Sequence, residues 1–249
     1  MRKHIQRNEN MITTLNQAGY SFRLINVSNE SGFHDHPNDS GLLRQYFDLR
    51  RKSYEEDKAM HGHFNEGKPD CYDFMSSHML GLKDGTVIGG GRLTFSTPER
   101  MPLPSEAPKF KFSYIYPEVD LHNLSYGEIH RFVVASKYRN VSFFTLGLFW
   151  CIVLELAKYS TYWFAPSIPV KARLYRRIAR KLGLDLFICK GLAFVREKYS
   201  NIELDLMVVN SEQGATKLLK ESKYPHCNNL YSVTNTSVSQ SLYELPDVC

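Results

Sequence analysis

The segment that most constrains the fold consists of two short apolar runs, residues 77–82 and 86–95, separated by a Lys-Asp-Gly turn at 83–85. Asp-Gly favours the positive φ angles of a tight hairpin turn, so the two runs are predicted to pair as antiparallel strands. Three consecutive glycines at 89–91 interrupt the second run and predict either a β-bulge or the close approach of a ligand. The chain is therefore predicted to contain a sheet built around this hairpin.

Strands and helices alternate around the hairpin. Before it, the pattern predicts a short helix or strand near 11–27 and a helix at 41–57 with Asp39 or Ser40 as N-cap. After it, the pattern predicts an irregular stretch at 97–117, strands at 126–135, 161–168, 184–190 and 202–209, and helices at 143–159, 170–182 and 213–221. This order predicts an α/β (α+β) fold, a central mixed sheet with helices on both faces.

The composition is that of a folded protein. With 43% apolar and 23% charged residues among 249, the chain does not have the composition of disordered, collagen-like or coiled-coil proteins. No linker rich in proline or glycine divides it, so we expect one domain at 41–225, preceded by an N-terminal extension (1–40) and followed by a polar C-terminal tail (226–249).

One arginine lies among apolar residues. Phe47, Arg50 and Tyr54 are spaced by three and four, so they share one helix face. A guanidinium on an apolar face costs several kcal/mol unless it is paired with a carboxylate. Asp70 and Asp73 are the natural candidates, although an Asp-x-x-Asp sequence alone is also typical of a solvated turn.

The charged motifs stand in a fixed order along the chain. They are Arg50 with Tyr54, Asp70 with Asp73, the glycine-rich Gly89-Gly90-Gly91-Arg92-Leu93, and Glu128-Ile129-His130-Arg131-Phe132. This order and spacing, over roughly residues 42–140, resembles the acyl-homoserine-lactone (AHL, autoinducer) synthases and the long-chain N-acyl amino acid synthases, both GNAT-like acyltransferases. Two positions depart from the AHL synthase pattern: Met60 stands where a tryptophan is usual, and Lys68 where a glutamate is common.

The resemblance implies a GNAT-like fold and an enzyme, an N-acyltransferase. It would transfer a fatty acyl group from acyl carrier protein to an amine. With S-adenosylmethionine as acceptor the product is an AHL, as in quorum sensing, and with an amino acid it is an N-acyl amino acid; both acceptors stay open. The acceptor site implied by the resemblance comprises Arg50, Tyr54, Asp70, Asp73 and Arg92. Glu128 and Arg131 are the implied catalytic residues.

Glu128 is the candidate general base. An α-amino group is largely protonated near pH 7, and a carboxylate beside it, directly or through water, can accept its proton. Glu128 and Arg131 are three apart on a predicted strand, so they should face opposite ways unless a bulge lies between them. By resemblance to GNAT-like sheets we expect such a bulge. Arg131 would then bind a carboxylate of the acceptor or pair with the acidic residues.

The sequence also bears on the acyl donor. GNAT enzymes hold the coenzyme A pyrophosphate on a glycine-rich loop after this strand, but residues 137–142 contain no glycine. This favours acyl carrier protein, an acidic partner, over acetyl-CoA. Its predicted docking surface is a basic helix, with a solvated helix face as the equal alternative. The basic residues are Lys171, Arg173, Arg176, Arg177, Arg180 and Lys181. Phe143, Phe144, Phe149 and Trp150 are predicted to be core or an acyl tunnel.

Several other classes are disfavoured. Five cysteines without a CxxC pair predict reduced thiols and a cytoplasmic protein. The resemblance to autoinducer synthases implies a bacterial one. No signal peptide or integral membrane segment is predicted. A net charge of +5 is small for a nucleic-acid-binding protein. The histidine pairs His34/His36 and His61/His63 lack further ligands at suitable spacing, so we expect no metal, and no cofactor besides the substrates.

Two alternatives to the carrier-protein-dependent enzyme remain. One is a non-catalytic GNAT-like module that binds a carrier protein or an anionic ligand. The other is an acyl-CoA-dependent GNAT acetyltransferase.

Overall fold

The chain divides into two compact units in a computed structural model. The first unit comprises Met1–Asn8, Thr94–His130 and Val153–Pro225, and the second comprises Glu9–Leu93, Arg131–Ile152 and His226–Cys249. The structure describes residues 2–28, 37–56, 68–96, 125–139, 142–189, 205–212 and 232–237.

The described residues form helices, strands and two 3₁₀-helices. The helices are α1 (Arg2–Gln17), α2 (Pro37–Glu56), α3 (Ser142–Tyr159) and α4 (Pro169–Leu182). The strands are β1 (Tyr20–Ser28), β2 (Ser77–Lys83), β3 (Thr86–Phe95), β4 (Tyr126–Val134), β5 (Tyr162–Ser167), β6 (Phe187–Cys189), β7 (Asp205–Asn210) and β8 (Ser232–Ser237). The 3₁₀-helices are Cys71–Met75 and Ser136–Tyr138. None of these helices is both long enough and apolar enough to cross a membrane.

The second unit contains the hairpin. Its strands are hydrogen-bonded in the order β3-β2-β1-β8, with β1–β2 and β2–β3 antiparallel and β1–β8 parallel. Asp84 and Gly85 both have positive φ, 49° and 78°, as a tight hairpin turn requires. The register shifts between Gly81 and Leu82, which leaves Ile88 as an extra residue in β3. The predicted hairpin and the bulge beside its glycines are both confirmed.

The hairpin glycines make room for aromatic side chains rather than for a ligand. A Cβ at Gly90 would lie 2.8 Å from Cδ2 of Tyr46 in α2. A Cβ at Gly81 would lie 2.6 Å from the ring of Phe144 in α3. Gly81 pairs with Gly89, so both face the same side of the hairpin, and Gly90 as the next residue along β3 faces the other side. These contacts therefore put α2 and α3 on opposite faces of the hairpin. The prediction of helices on both faces is confirmed for this unit.

The strands of the first unit also pair in both parallel and antiparallel directions. Their order is β6-β7-β5-β4, with β4–β5 parallel and both β5–β7 and β6–β7 antiparallel. Helix α4 ends at Gly183, which has φ 79° and donates to the carbonyl of Arg180, so the predicted stop is confirmed. The side-chain amide of Asn8 donates to the carbonyl of Leu182 at 3.1 Å and satisfies another group at this helix end.

The sequence-based boundaries were wrong in three places. The region near 11–27 is two elements, because Gly19 with φ 78° ends α1 before β1 begins. Helix α2 begins at Pro37, so Asp39 and Ser40 lie inside its first turn and are not the N-cap; proline suits that turn because its φ is already helical. Strand β6 covers only Phe187–Cys189 within the described part of the predicted 184–190.

Both flanking segments contribute strands to the second unit. Strand β1 comes from residues 1–40 and pairs with β2, and β8 comes from residues 226–249 and pairs with β1. The domain boundaries at 41 and 226 remain a prediction. Strand β1 lies before the first boundary and strand β8 after the second. Other predictions lie outside the described residues: the irregular stretch at 97–117, the helix at 213–221, and the pairs His34/His36 and His61/His63.

Candidate active site

Arg50 of α2 is paired with Asp73. Its Nη1 and Nη2 donate to the two carboxylate oxygens of Asp73, both at 2.8 Å, and both side chains have no solvent exposure. Nη2 also donates to the carbonyl oxygen of Lys68. The pairing of Arg50 with a carboxylate, predicted from its place on the apolar helix face, is confirmed, and Asp73 rather than Asp70 is the partner.

The two aspartates are fixed by a short 3₁₀-helix. Asp70 is the N-cap of Cys71–Met75, and its carboxylate accepts from the backbone N–H of Asp73 at 3.3 Å. In return, the backbone N–H of Asp70 donates to Oδ2 of Asp73 at 2.8 Å. This reciprocal capping box explains the Asp-x-x-Asp spacing, because each carboxylate satisfies the other residue's backbone. The segment is thus a structured turn and not a solvated one.

Two further arginines converge on Asp70. Arg92 of β3 donates to Oδ1 of Asp70 and lies 3.3 Å from Oδ1 of Asp73. Arg131 of β4 donates through Nη2 to Oδ2 of Asp70 at 3.0 Å. Of the two roles predicted for Arg131, the structure shows pairing with the acidic residues. We call the three arginines and two aspartates the arginine–aspartate cluster; its formal charge is 3 − 2 = +1.

Aromatic rings lie against each arginine of the cluster. The guanidinium carbon of Arg50 lies 5.1 Å from the ring centre of Phe47 and 5.7 Å from that of Tyr46. The corresponding distances are 5.5 Å for Arg92 and Tyr72, and 5.8 Å for Arg131 and Tyr54. Tyr54, predicted from its spacing to Arg50, is therefore at the cluster, where it contacts Arg131. Such contacts favour the cationic form where water is scarce.

The cluster keeps both aspartates ionised. Burial opposes ionisation of Asp73, but the charges of Arg50 and Arg92 outweigh it and hold the pKa of Asp73 well below its ordinary 3.8. Burial likewise opposes ionisation of Asp70, and Arg92 and Arg131 overcome it and lower the pKa of that carboxyl. At neutral pH the cluster is therefore a set of fixed charges and not a source of protons.

The exposure of the cluster is uneven. The side chains of Arg50 and Asp73 are fully buried and that of Arg92 is 2% exposed, whereas Asp70 is 25% and Arg131 10% exposed. The buried pair can support the site but cannot contact a bound molecule in this conformation. Asp70 and Arg131, which we call the open edge of the cluster, offer one negative and one positive group to a ligand.

His78 of β2 was not predicted. Its ring is fully buried between Tyr46 and Phe47, with centroid distances of 5.6 and 5.8 Å. Burial lowers the pKa of His78 to about 4, so the ring is neutral at pH 7. Since a carbonyl only accepts, the Nε2–H must donate to the carbonyl oxygen of Asp73 at 2.9 Å. The only sequence signal was a histidine near the start of a predicted strand, five residues after Asp73, the partner of Arg50.

Strand β4 changes conformation at Arg131. This residue has φ 57°, in the left-handed region that non-glycine residues seldom adopt. Its carbonyl oxygen accepts a hydrogen bond from the hydroxyl of Tyr46 at 2.8 Å. An irregularity was predicted between Glu128 and Arg131, and it occurs at the last of these residues.

Glu128 lies in the first unit and is paired with His130. The Glu128 side chain has no solvent exposure, and its Oε2 is hydrogen-bonded to Nε2 of His130, whose side chain is 12% exposed. The two residues are two apart on β4, so their side chains leave the strand on the same face. The Glu-x-x-Arg motif contains His130 but indicates no role for it; the i, i+2 spacing from Glu128 on a strand is the signal that identifies it.

The basic helix α4 has two faces. Ala172, Ile178, Ala179 and Leu182 are buried. Of the six predicted basic residues, Arg173, Arg177, Arg180 and Lys181 are exposed, and Lys171 and Arg176 are half-buried. Val170 and Leu174, with 66% and 45% exposure, lie on the exposed side as well. An exposed face that mixes arginines with apolar side chains suits a protein partner as well as solvent.

The aromatic residues of α3 are mostly core. Phe144, Phe149 and Trp150 are 0%, 3% and 1% exposed, whereas Phe143 is 63% exposed and was wrongly included among the buried set. Among the residues that the structure describes, no group of three or more histidine, cysteine, aspartate or glutamate side chains could hold a metal ion.

The overall fold is that of solved AHL synthases. The AHL synthase LasI matches with a TM-score of 0.52 and 15% identity, over 82% of this chain and 94% of LasI. BjaI, a CoA-dependent AHL synthase solved with SAM and isopentyl-CoA, matches with a TM-score of 0.57 and 18% identity, over 89% of this chain and 95% of BjaI. These matches confirm the predicted α/β, GNAT-like fold. Neither a family model nor a curated protein matches the chain.

Proposed function

We propose that this protein is an N-acyltransferase that moves a fatty acyl group from a thioester donor to the amine of a small acceptor. The observation that carries the proposal is the arginine–aspartate cluster. Arg50, Asp70, Asp73, Arg92 and Arg131 come from four separate places in the chain, and all of them are motif residues of the family that the sequence resembles. The fold shared with AHL synthases supports the same activity.

The open edge of the cluster is the proposed acceptor site. An amino acid head group carries an ammonium and a carboxylate, and Asp70 and Arg131 present the opposite charges side by side. S-adenosylmethionine and free amino acids both carry this head group. The buried pair Arg50–Asp73 and Arg92 hold the open edge in place, and Tyr54 lies against Arg131.

Glu128 and its hydrogen-bond partner His130 are the proposed site of proton removal. The acceptor must lose a proton from its ammonium group before nitrogen can attack the thioester carbon. Glu128 is a buried carboxylate, and it is hydrogen-bonded to an imidazole that is partly exposed. We expect Glu128→Gln to fold normally and to lose most of its turnover, on the order of 10²- to 10⁴-fold.

Acyl carrier protein is the proposed donor, and helix α4 is its proposed docking surface. The exposed arginines of α4 suit an acidic partner, and the exposed Val170 and Leu174 give that partner apolar area to bury. Acyl-CoA is a second candidate donor, because BjaI is a CoA-dependent synthase with the same fold. An acidic carrier should depend on the charge of α4 more than a small thioester does.

One experiment tests the proposal. The purified protein is incubated with long-chain acyl carrier protein or acyl-CoA, each with S-adenosylmethionine or with a mixture of free amino acids, and products are identified by mass spectrometry. An acylated amine that requires protein, donor and acceptor, and whose rate of formation falls strongly with Glu128→Gln, supports the enzyme. Binding of carrier protein without any acylated product would instead support the non-catalytic module. A product formed only from acetyl-CoA would support the acetyltransferase.

A further inference from the structure

Glu128 and His130 form a pair in which one side chain is fully buried and the other is partly exposed. The carboxylate of Glu128 has no solvent exposure, while the imidazole of His130 is 12% exposed. Both side chains leave β4 on one face, and a hydrogen bond joins Oε2 to Nε2. The imidazole is the group that a substrate can reach, and the carboxylate is the buried group that holds it.

We infer that His130, not Glu128, takes the proton from the acceptor amine, and that Glu128 is a positioning residue which holds the imidazole ring and stabilises its protonated form. The inference rests on the proposed N-acyltransferase function and assigns the base within it. It assigns a role to His130, which the sequence motif does not.

The hydrogen bond determines which ring nitrogen is basic. An ionised carboxylate only accepts, so Nε2 of His130 carries the hydrogen that points to Glu128. In the neutral ring the lone pair then lies on Nδ1. A carboxylate that fixes the tautomer and stabilises the imidazolium is the arrangement that makes histidine an effective base in other enzymes.

The imidazole is also the better-matched base. A free imidazole has a pKa of about 6.5, and a free glutamate carboxyl has a pKa of about 4.3. General bases are most effective when their pKa lies near the working pH. A histidine beside a carboxylate therefore meets the requirement at neutral pH, whereas an unassisted carboxylate would be a weak base.

The proton and bond changes balance without any further reactant. The acceptor ammonium gives one proton to Nδ1 of His130, and the amine nitrogen attacks the thioester carbon. The C–N bond forms, the C–S bond breaks, and the second amine proton goes to the departing sulfur as the thiol. The imidazolium then releases its proton to solvent, which the 12% exposure of His130 permits.

The first test is the pH dependence of kcat for the wild type, His130→Gln and Glu128→Gln, with one donor and one acceptor. The wild type should lose activity at low pH as one group becomes protonated. His130→Gln should lose on the order of 10²- to 10⁴-fold in kcat together with this acidic limb. Glu128→Gln should keep the limb but move it to lower pH, because the imidazolium has lost its stabilising carboxylate. His4→Gln in α1 is the matched control and should keep the wild-type profile.

The opposite pattern would overturn the inference. If Glu128 were the base, Glu128→Gln would lose the acidic limb and His130→Gln would retain it. Circular dichroism and thermal unfolding establish that each variant is folded, and His130→Asn takes the place of His130→Gln if that variant does not fold.

The second test does not depend on activity. The His130 ring is assigned by ¹H–¹⁵N NMR from the signal that His130→Gln removes, and its titration is followed in the wild type and in Glu128→Gln. The midpoint should move to lower pH by about one unit or more when the carboxylate is removed. An unchanged midpoint would show that Glu128 does not stabilise the protonated ring, and would overturn the inference. No acyl transfer by the wild type with any donor and acceptor would overturn the proposed function, and with it the catalytic role, whatever the titration shows.

Discussion

The hydroxyl of Tyr46 donates a hydrogen bond to the carbonyl oxygen of Arg131 at 2.8 Å. Arg131 is a left-handed residue within a strand, a conformation that costs about 1–2 kcal/mol in a residue with a Cβ. A left-handed residue turns its peptide groups away from the regular strand direction, so the carbonyl needs a partner outside the strand. Helix α2 supplies that partner through Tyr46, and it supplies Arg50 on the same face one turn later.

Removing this hydroxyl should loosen the open edge of the cluster. Tyr46→Phe leaves the carbonyl of Arg131 without its donor, and we expect a loss of about 1–2 kcal/mol in the free energy of unfolding. Chemical denaturation gives the measurement. Tyr138→Phe, at a half-buried tyrosine outside the cluster, is the control and should change stability by less than about 0.5 kcal/mol. Equal stability of Tyr46→Phe and wild type would show that the hydrogen bond does not contribute.

The buried ion pair should be costly to break from one side. Asp73→Asn leaves the guanidinium of Arg50 without a carboxylate in a site of zero exposure, so we expect destabilisation of about 3–5 kcal/mol. Arg51→Ala breaks exposed pairs with Asp48 and Glu55 and should cost less than about 1 kcal/mol. Comparable losses in these two variants, measured by denaturant unfolding, would contradict the assigned burial.

His78 should make stability depend on pH in a defined window. Its pKa is about 4 in the folded protein and 6.5 ordinarily, so between these values the unfolded chain binds a proton that the folded chain does not. The free energy of unfolding is therefore not reduced by His78 above pH 6.5, and it falls by about 3 kcal/mol as the pH drops towards 4. Asp70 and Asp73 act at lower pH, because the stability from their lowered pKa values is lost only below 3.8. In His78→Gln the stability should change much less across pH 4–6.5, and an identical slope in both proteins would contradict the prediction.

Gly90 should not tolerate a side chain. The Cβ of Gly90→Ala would lie 2.8 Å from the ring of Tyr46, which is fully buried, so the ring has little room to move. We expect a loss of about 1–3 kcal/mol, with a lower thermal midpoint. Gly41→Ala in α2 is a matched control because nothing lies within 4 Å of its Cβ, and it should stabilise the helix by about 0.5–1 kcal/mol. A neutral Gly90→Ala would mean that the hairpin and α2 are less closely packed.

Charge reversal on α4 should separate the two candidate donors. Arg173→Glu with Arg177→Glu should lower kcat/KM for acyl carrier protein by on the order of 10-fold at low salt and by less at high salt. The same double variant should leave kcat/KM for acyl-CoA nearly unchanged. Arg44→Glu, an exposed arginine of α2, is the matched control. An equal loss with both donors would show that α4 does not serve as a docking surface for the carrier protein.

Much of the fold could be predicted from the sequence, because turns and helix ends depend on the conformational preferences of nearby residues. The Asp-Gly turn predicted the hairpin because these residues readily take positive φ, and Gly183 predicted the end of α4 for the same reason. The apolar face of α2 predicted that Arg50 would be paired. Pro37 misled the prediction of where α2 begins, because a proline can stand in a first helical turn as well as before it.

The pairing of distant segments could not be read in the same way. Strand β8 is joined to β1 by parallel pairing more than two hundred residues away, and a sequence pattern carries no information about such a partner. The fully buried positions of His78 and Glu128 depend on what packs around them, and this alone makes one ring neutral and one carboxylate inaccessible.

The sequence by itself determined which residues carry charge and in what order, because helix and strand spacing and turn chemistry are local properties of the chain. Only the tertiary structure decided that Arg50 pairs with Asp73, that Arg131 pairs with Asp70, and that Glu128 is buried while its partner His130 is partly exposed. The physical reason is that charge pairing and solvent access depend on distances across the fold. Those distances are set by how α2, the hairpin and β4 pack, and no single segment specifies them.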